Sequence, residues 1–161
     1  MNLQKLFEMQ KGLDDFIEKT QKIERDVFKE KGLALMVELA ELANETRCFK
    51  FWSTKGPSER DVILEEYVDS IHFILSLGIL KGFTTIEKWP VIEEKRDLTE
   101  TFLMTQEYIL TFIHNPTKDG YLAIWQCYGV IAYNLGFSFD DVVRAYVEKN
   151  EENYKRQRTG Y

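Results

Sequence analysis

Four carboxylates fall into two pairs with one spacing. Glu38 and Glu41 stand three residues apart in "LALMVELAELANETRCFKFW", and Glu66 and Asp69 three apart in "LEEYVDSIHFIL". On a helix, residues three or four apart share a face, so each pair presents its two acids together. Crowded carboxylates repel one another, and burial either raises their pKa values or calls for a cation. Oxygen donors with no His or Cys pair beside them suit Mg²⁺ or Mn²⁺. Because Mg²⁺ keeps waters and completes its octahedron with substrate phosphates, the pattern points to a phosphate-bearing substrate.

The surroundings of the acids sharpen this. The stripe Ala34, Glu38, Glu41, Glu45 is flanked by Leu33, Leu35, Met36, Val37, Leu39, Ala40, Leu42 and Ala43. Around Glu66 and Asp69, whose stripe runs on through His72 or Phe73 to Ser76, the flanks are equally apolar. A surface helix has a broad polar arc, and these arcs are narrow. A single E-x-x-E is commonly a solvated face; two on mostly apolar neighbouring helices form facing seams if the helices pack antiparallel.

A third group lies in "YVEKNEENYKRQRTGY". Lys149, Asn153 and Arg156 share one helical face, with Asn150 and Gln157 beside it. Lys and Arg donate to phosphate oxygens, Arg often through two parallel bonds. The alternative is a charged, solvated terminal helix.

The elements that must hold these groups are helical throughout. Prolines occur only at 57, 90 and 116, each where a helix is interrupted. The periodicity predicts helices over about Leu3–Lys19, Glu30–Thr46, Glu59–Lys81, Leu98–His114, Gly120–Asn134 and Phe139–Arg158. Ser58 with Asp61 reads as the start of the third helix, Gly82 as its stop, and Ser138 as the cap of the last. No strand-like alternation stands out, so the expected fold is all-α, a bundle of about six helices in one domain over residues 1–161. The stretch Gly82 to Asp97 carries no readable motif and is expected to be a connector.

Bulk properties exclude several classes. The net charge of −6 argues against nucleic acid or anionic membrane as a partner, since both need a basic face. The longest apolar run, "IHFILSLGIL", is short of the roughly 20 residues that span a bilayer. Two cysteines in unrelated contexts, Cys48 and Cys127, and an acidic amphipathic N-terminus unlike a signal peptide fit the reducing cytoplasm.

The segments "MQKGLDDFI", "ELAELANETRCFKFW", "LEEYVDSIHFILSLG" and "YVEKNEENYKRQRTGY" together resemble the all-α dimeric dUTPases of the MazG-like nucleoside triphosphate pyrophosphohydrolase superfamily. The paired acidic motifs mark the superfamily, and the aromatic stretch with the K-N-x-x-N-x-x-R-Q-x-x-G-Y ending narrows it. The versions most alike are those of Firmicute bacteria and their phages.

The resemblance implies Mg²⁺-dependent hydrolysis of dUTP to dUMP and pyrophosphate by a homodimer. It implies several Mg²⁺ ions per site, with Mn²⁺ as a possible substitute, held by Glu38, Glu41, Glu66 and Asp69. Glu41 is the residue implied to orient and deprotonate the attacking water. Gln10 and Asp14 match positions that read the uracil edge; several relatives have Asn at the second, which donates and accepts, whereas Asp14 only accepts. Trp52, with Phe49 and Phe51, matches an aromatic cluster that either walls the base or belongs to the core. His72 and Phe73 fall near the sugar, where an aromatic ring excludes a 2′-hydroxyl. Lys149, Asn153, Arg156 and Tyr161 match the phosphate-binding end, with Asn150 in support and Lys55 of "STKGPSE" as a further phosphate candidate. Two other readings stay open: a (d)NTP pyrophosphohydrolase of broader or different specificity, kept alive by Asp14, and a helical interaction protein that binds a regulatory partner.

Overall fold

A computed structural model describes residues 2–90 and 92–160. Among them are six α-helices and no strand: α1 (Leu3–Gln21), α2 (Phe28–Thr46), α3 (Arg60–Lys81), α4 (Leu98–His114), α5 (Lys118–Leu135) and α6 (Phe139–Arg158). The all-α expectation holds, and predicted ends differ from observed ones by two residues at most. Among the described residues no helix is long and apolar enough to cross a membrane.

Local chemistry explains most boundaries. Asn2, Asp97, Thr117 and Ser138 each accept a backbone N–H of the following helix, and Ser138 with Asp141 completes a reciprocal capping box. Gly82 and Gly136 end α3 and α5 in the left-handed conformation that glycine adopts without a Cβ penalty. The expected start of α3 needs correction. Glu59, not Ser58, is its N-cap, and its carbonyl accepts from Val62 and Ile63. Ser58 is instead tied back to the end of α2, its N–H to the Glu45 carbonyl at 3.0 Å and its hydroxyl to the Glu45 carboxylate.

α3 is the central element. It packs against α1, α2, α5 and α6, and its buried residues lie on all sides. That is why its sequence has no broad polar arc. The core gathers Trp125, Tyr67, Tyr121 and Tyr128, all fully buried. Burying each such side chain contributes roughly 1.5–3 kcal/mol, provided its polar atom finds a partner. Tyr67 donates to the Tyr128 carbonyl at 2.7 Å, and Tyr121 to the Ile74 carbonyl at 2.6 Å.

The connector between α3 and α4 is structural. Gln4 donates to the carbonyls of Thr84 and Ile86, and Trp89 packs on Tyr67, Trp125 and Phe139. The Pro90 carbonyl lies where a Cβ at residue 129 would project, so only glycine fits there. Both cysteines are free, Cys48 exposed and Cys127 buried.

Candidate active site

The antiparallel packing of α2 on α3 brings the two acidic seams together. Carboxylate oxygens of Glu38, Glu66 and Asp69 all lie within 4.8 Å of one another. One oxygen of Glu38 and one of Glu66 are buried with no hydrogen-bond partner among the described residues. Glu41 is exposed, within hydrogen-bonding and electrostatic reach of both Glu38 and Glu66. Burial, then the charges of Asp69 and Glu41, push Glu38 up to about 8; the same causes push Glu66 up to about 7. Burial raises Asp69 to about 6 against the opposing pull of Lys149. Two orphaned buried oxygens in an all-oxygen donor set are what a hard divalent cation would satisfy, so these residues fit Mg²⁺.

α6 carries the cationic side. Lys149 is buried, its Nζ 2.7 Å from Glu65, 3.2 Å from Glu152 and 3.3 Å from Asp69. Burial works against its charge, but the hydrogen bond to Glu65 and the field of Asp69 more than offset it and hold its pKa above the ordinary lysine value. Further along the helix, Asn153 and Arg156 face a cavity of about 370 Å³, and Arg156 also pairs with Glu152 at 2.8 Å. Glu38 and Asp69 line the same cavity.

The opposite wall of the cavity is a buried polar network drawn from four helices. Gln10 donates to Asp14 at 2.9 Å and accepts from Tyr146 at 2.9 Å. The same Gln10 carbonyl oxygen lies 2.7 Å from His72 Nδ1, so that nitrogen carries the proton. His72 stacks on Tyr146 with ring centroids 4.3 Å apart. Burial, helped by the Lys149 charge, lowers the His72 pKa to about 3, which keeps the ring neutral. Its Nε2 is therefore a buried acceptor with no partner among the described residues. Ser76 donates to Asp14 at 2.6 Å, and Lys31 donates to Ser76 at 2.6 Å. Phe73 also faces the cavity.

An acidic cluster and a cationic helix face thus border a pocket with a hydrogen-bonding floor. The sequence pattern of residues 2–161 matches the family model described as dUTPase. The chain belongs to the dUTPase family. By that membership it is a dUTP diphosphatase, in a family that is generally metal-dependent. A search of curated proteins returned no match to the chain.

In this dUTPase, Gln10, Asp14, Glu38, Asp69, His72, Phe73, Asn153 and Arg156 all line one cavity. Glu66, Glu41 and Lys149 adjoin it through the contacts given above. Asn150 is buried behind it, its amide 3.5 Å from the Tyr146 hydroxyl. Four candidates, Phe49, Phe51, Trp52 and Lys55, lie elsewhere. Phe51 and Trp52 are 92 % and 65 % exposed and Phe49 is 38 % exposed, Phe49 and Phe51 each packing edge-on with Trp52. The core alternative therefore does not describe Trp52, and the cluster does not line the cavity of its own chain. The cause is the turn at Arg47, whose left-handed backbone sends the chain outward and whose guanidinium then holds Ser53 and the Lys55 carbonyl. Lys55 is exposed on that loop. Tyr161 lies outside the described residues.

Sequence reasoning missed Lys31 and Tyr146. Both had a signal. Lys31 continues the stripe of Ala34, Glu38 and Glu41 one turn back, and Tyr146 precedes Asn150 by one turn on the face that also carries Asn153.

Proposed function

We propose that this dUTPase hydrolyses dUTP to dUMP and pyrophosphate with Mg²⁺, the phosphates lying between the carboxylate cluster and α6. The observation that carries the reading is the convergence of Glu38, Glu66 and Asp69 within 4.8 Å, with two oxygens buried and unpaired, at the edge of a cavity that Arg156 also lines.

Glu38, Glu41, Glu66 and Asp69 would hold the divalent ions, and Mn²⁺ suits the same oxygens. Such a cation would neutralise phosphate charge and make a nearby water more acidic. Glu41, the exposed member of the cluster, orients the attacking water and takes its proton on a carboxylate oxygen. The water oxygen bonds to the α or the β phosphorus as the P–O bond between them breaks, so that dUMP and pyrophosphate separate. Lys149 and Arg156 donate to phosphate oxygens, Asn153 adds an amide, and Asn150 supports them through Tyr146. Gln10 and Asp14 face the base, with His72 and Phe73 against the sugar.

We also infer a homodimer. Leu33 (62 % exposed) and Val37 on α2, with Leu103 (67 % exposed) and Leu110 on α4, form an uncovered apolar seam where these two helices pack. Gln106 sits in that seam with a buried, unpartnered carbonyl oxygen. Such a patch supports burial against a second copy.

The test is pyrophosphate release from a panel of dNTPs and NTPs, with Mg²⁺ and with EDTA. Turnover of dUTP that EDTA abolishes is the expected result. Hydrolysis of many nucleotides at similar rates would replace the reading with a broader pyrophosphohydrolase. No hydrolysis at all would leave the cluster without this role.

A further inference from the structure

The family reading assigns Gln10 and Asp14 to the base but gives Lys31 nothing to do. Yet Lys31 reaches across three helices. From α2 its Nζ lies 2.6 Å from Ser76 on α3 and 3.7 Å from Asp14 on α1. The Lys31 and Asp14 side chains are only 16 % and 10 % exposed. Placing an ammonium and a carboxylate where water is scarce costs stability unless the pair is matched and hydrogen-bonded. Here each half is matched: Asp14 receives Gln10 on one oxygen and Ser76 on the other, and Lys31 closes the group.

What remains open in this group faces the cavity. An ammonium has three N–H donors, and Ser76 engages one of those of Lys31, with the Asp14 carboxylate 3.7 Å away as an ion pair. Asp14 keeps lone pairs beyond those taken by Gln10 and Ser76, and cannot donate as a carboxylate. Lys31 and Asp14 therefore offer a donor beside an acceptor. An imide base presents carbonyl oxygen, N–H, carbonyl oxygen along its edge. The 4-amino analogue of the same shape presents a bare ring nitrogen and an NH₂ group instead. Against this wall, the bare nitrogen meets the carboxylate and the NH₂ meets the ammonium, both with the wrong polarity.

We propose that Lys31 is a specificity-determining residue: with Asp14 it makes the cavity wall read the donor–acceptor edge of uracil and reject cytosine. The inference rests on the reading of the cavity as the nucleotide site. It also accounts for the carboxylate at residue 14, since Asn there would flip its amide to serve either edge, whereas Asp14 held by Lys31 presents one polarity only.

The experiment uses the full chain and two readouts. Steady-state kinetics with dUTP and dCTP are compared for the natural protein and Lys31→Met, which keeps the length of the stem. Calorimetric binding of dUMP and dCMP reports base choice without any hydrolysis. The expected result is a fall of at least ~10-fold in the uracil-to-cytosine ratio, seen in KM and in both nucleotide affinities, with inhibition by inorganic tripolyphosphate unchanged. If the ratio is unchanged, or if tripolyphosphate weakens in step with dUTP, Lys31 is structural and the proposal is overturned. Should Lys31→Met leave Asp14 unpaired and the chain unfolded, Asp14→Asn/Lys31→Met removes both charges; it is expected to fold and to discriminate less. A doubly changed protein with natural discrimination overturns the proposal. If the natural protein prefers dUMP over dCMP but hydrolyses neither triphosphate, the hydrolase reading fails while the base-reading wall stands.

Discussion

The Nζ of Lys149 lies 3.3 Å from the Asp69 carboxylate, across the boundary between the cationic face of α6 and the acidic cluster of α2 and α3. One buried ammonium thus serves both halves of the site. It moderates the charge of Asp69, and in the proposed reading it also donates to phosphate oxygens. Lys149→Met is expected to raise the KM for dUTP by ~10–100-fold, as loss of a charge-assisted hydrogen bond would. Arg156→Ala is expected to weaken binding of the triphosphate but leave that of deoxyuridine nearly unchanged. Equal losses for nucleotide and nucleoside would place Arg156 outside the phosphate site.

Metal removal should make stability depend on pH. Folding raises the pKa values of Glu38 and Glu66 to about 8 and about 7 from the ordinary value of 4.5. Between those limits the folded chain binds more protons than the unfolded one, so stability falls as pH rises. His72 works in the opposite direction, because its folded pKa of about 3 is below the ordinary 6.5, but only at pH below that value. Above pH 6.5 the carboxylates therefore set the slope. In EDTA the melting temperature should drop by a few degrees from pH 6.5 to 8.5, and millimolar Mg²⁺ should abolish the drop. A flat profile in EDTA would mean the acids are not crowded in the folded protein.

Glu41 separates chemistry from folding. It is exposed, so Glu41→Gln should leave the helical circular dichroism unchanged, and the relief of its repulsion with Glu38 and Glu66 should leave the melting temperature no lower than that of the natural protein. Turnover should nevertheless fall by ~100-fold or more, the usual scale for loss of a general base. Near-natural hydrolysis by this variant would remove Glu41 from the role proposed for it.

The apolar seam gives a prediction of a different kind. Leu103→Asp places a charge on a side chain that is 67 % exposed in the single chain, so it should not disturb the fold of a monomer. Sedimentation equilibrium should show the natural protein as a dimer and the variant as a monomer at micromolar concentration. A dimer that survives this change would lie on another face.

Much of the site was legible because it is local. Glu38 with Glu41, Glu66 with Asp69, and Lys149 with Asn153 and Arg156 are each set by the pitch of one helix, and a helix needs only its own sequence to put residues three or four apart on one face. The cap at Ser138 and the stops at Gly82 and Gly136 are local for the same reason. Composition and periodicity together were enough to give an all-α bundle.

What the tertiary structure alone decided is which faces meet. Asp69 and Lys149 are eighty residues apart in the chain, and nothing in either helix states that the ammonium will lie on that carboxylate. Ser58, a fitting cap by sequence, was drawn away by Glu45 at the other end of the loop. Trp52 had an apolar side chain suited to the core but was carried to the surface by the turn at Arg47. Lys31 drew no reading from the sequence, and its partners Asp14 and Ser76 are brought to its Nζ only by the packing of α1 and α3 on α2. Helical pitch is an intrachain property, whereas the partner of a buried charge is chosen by how whole helices stack, and there the hydrogen bonds of one element are completed by the side chains of another.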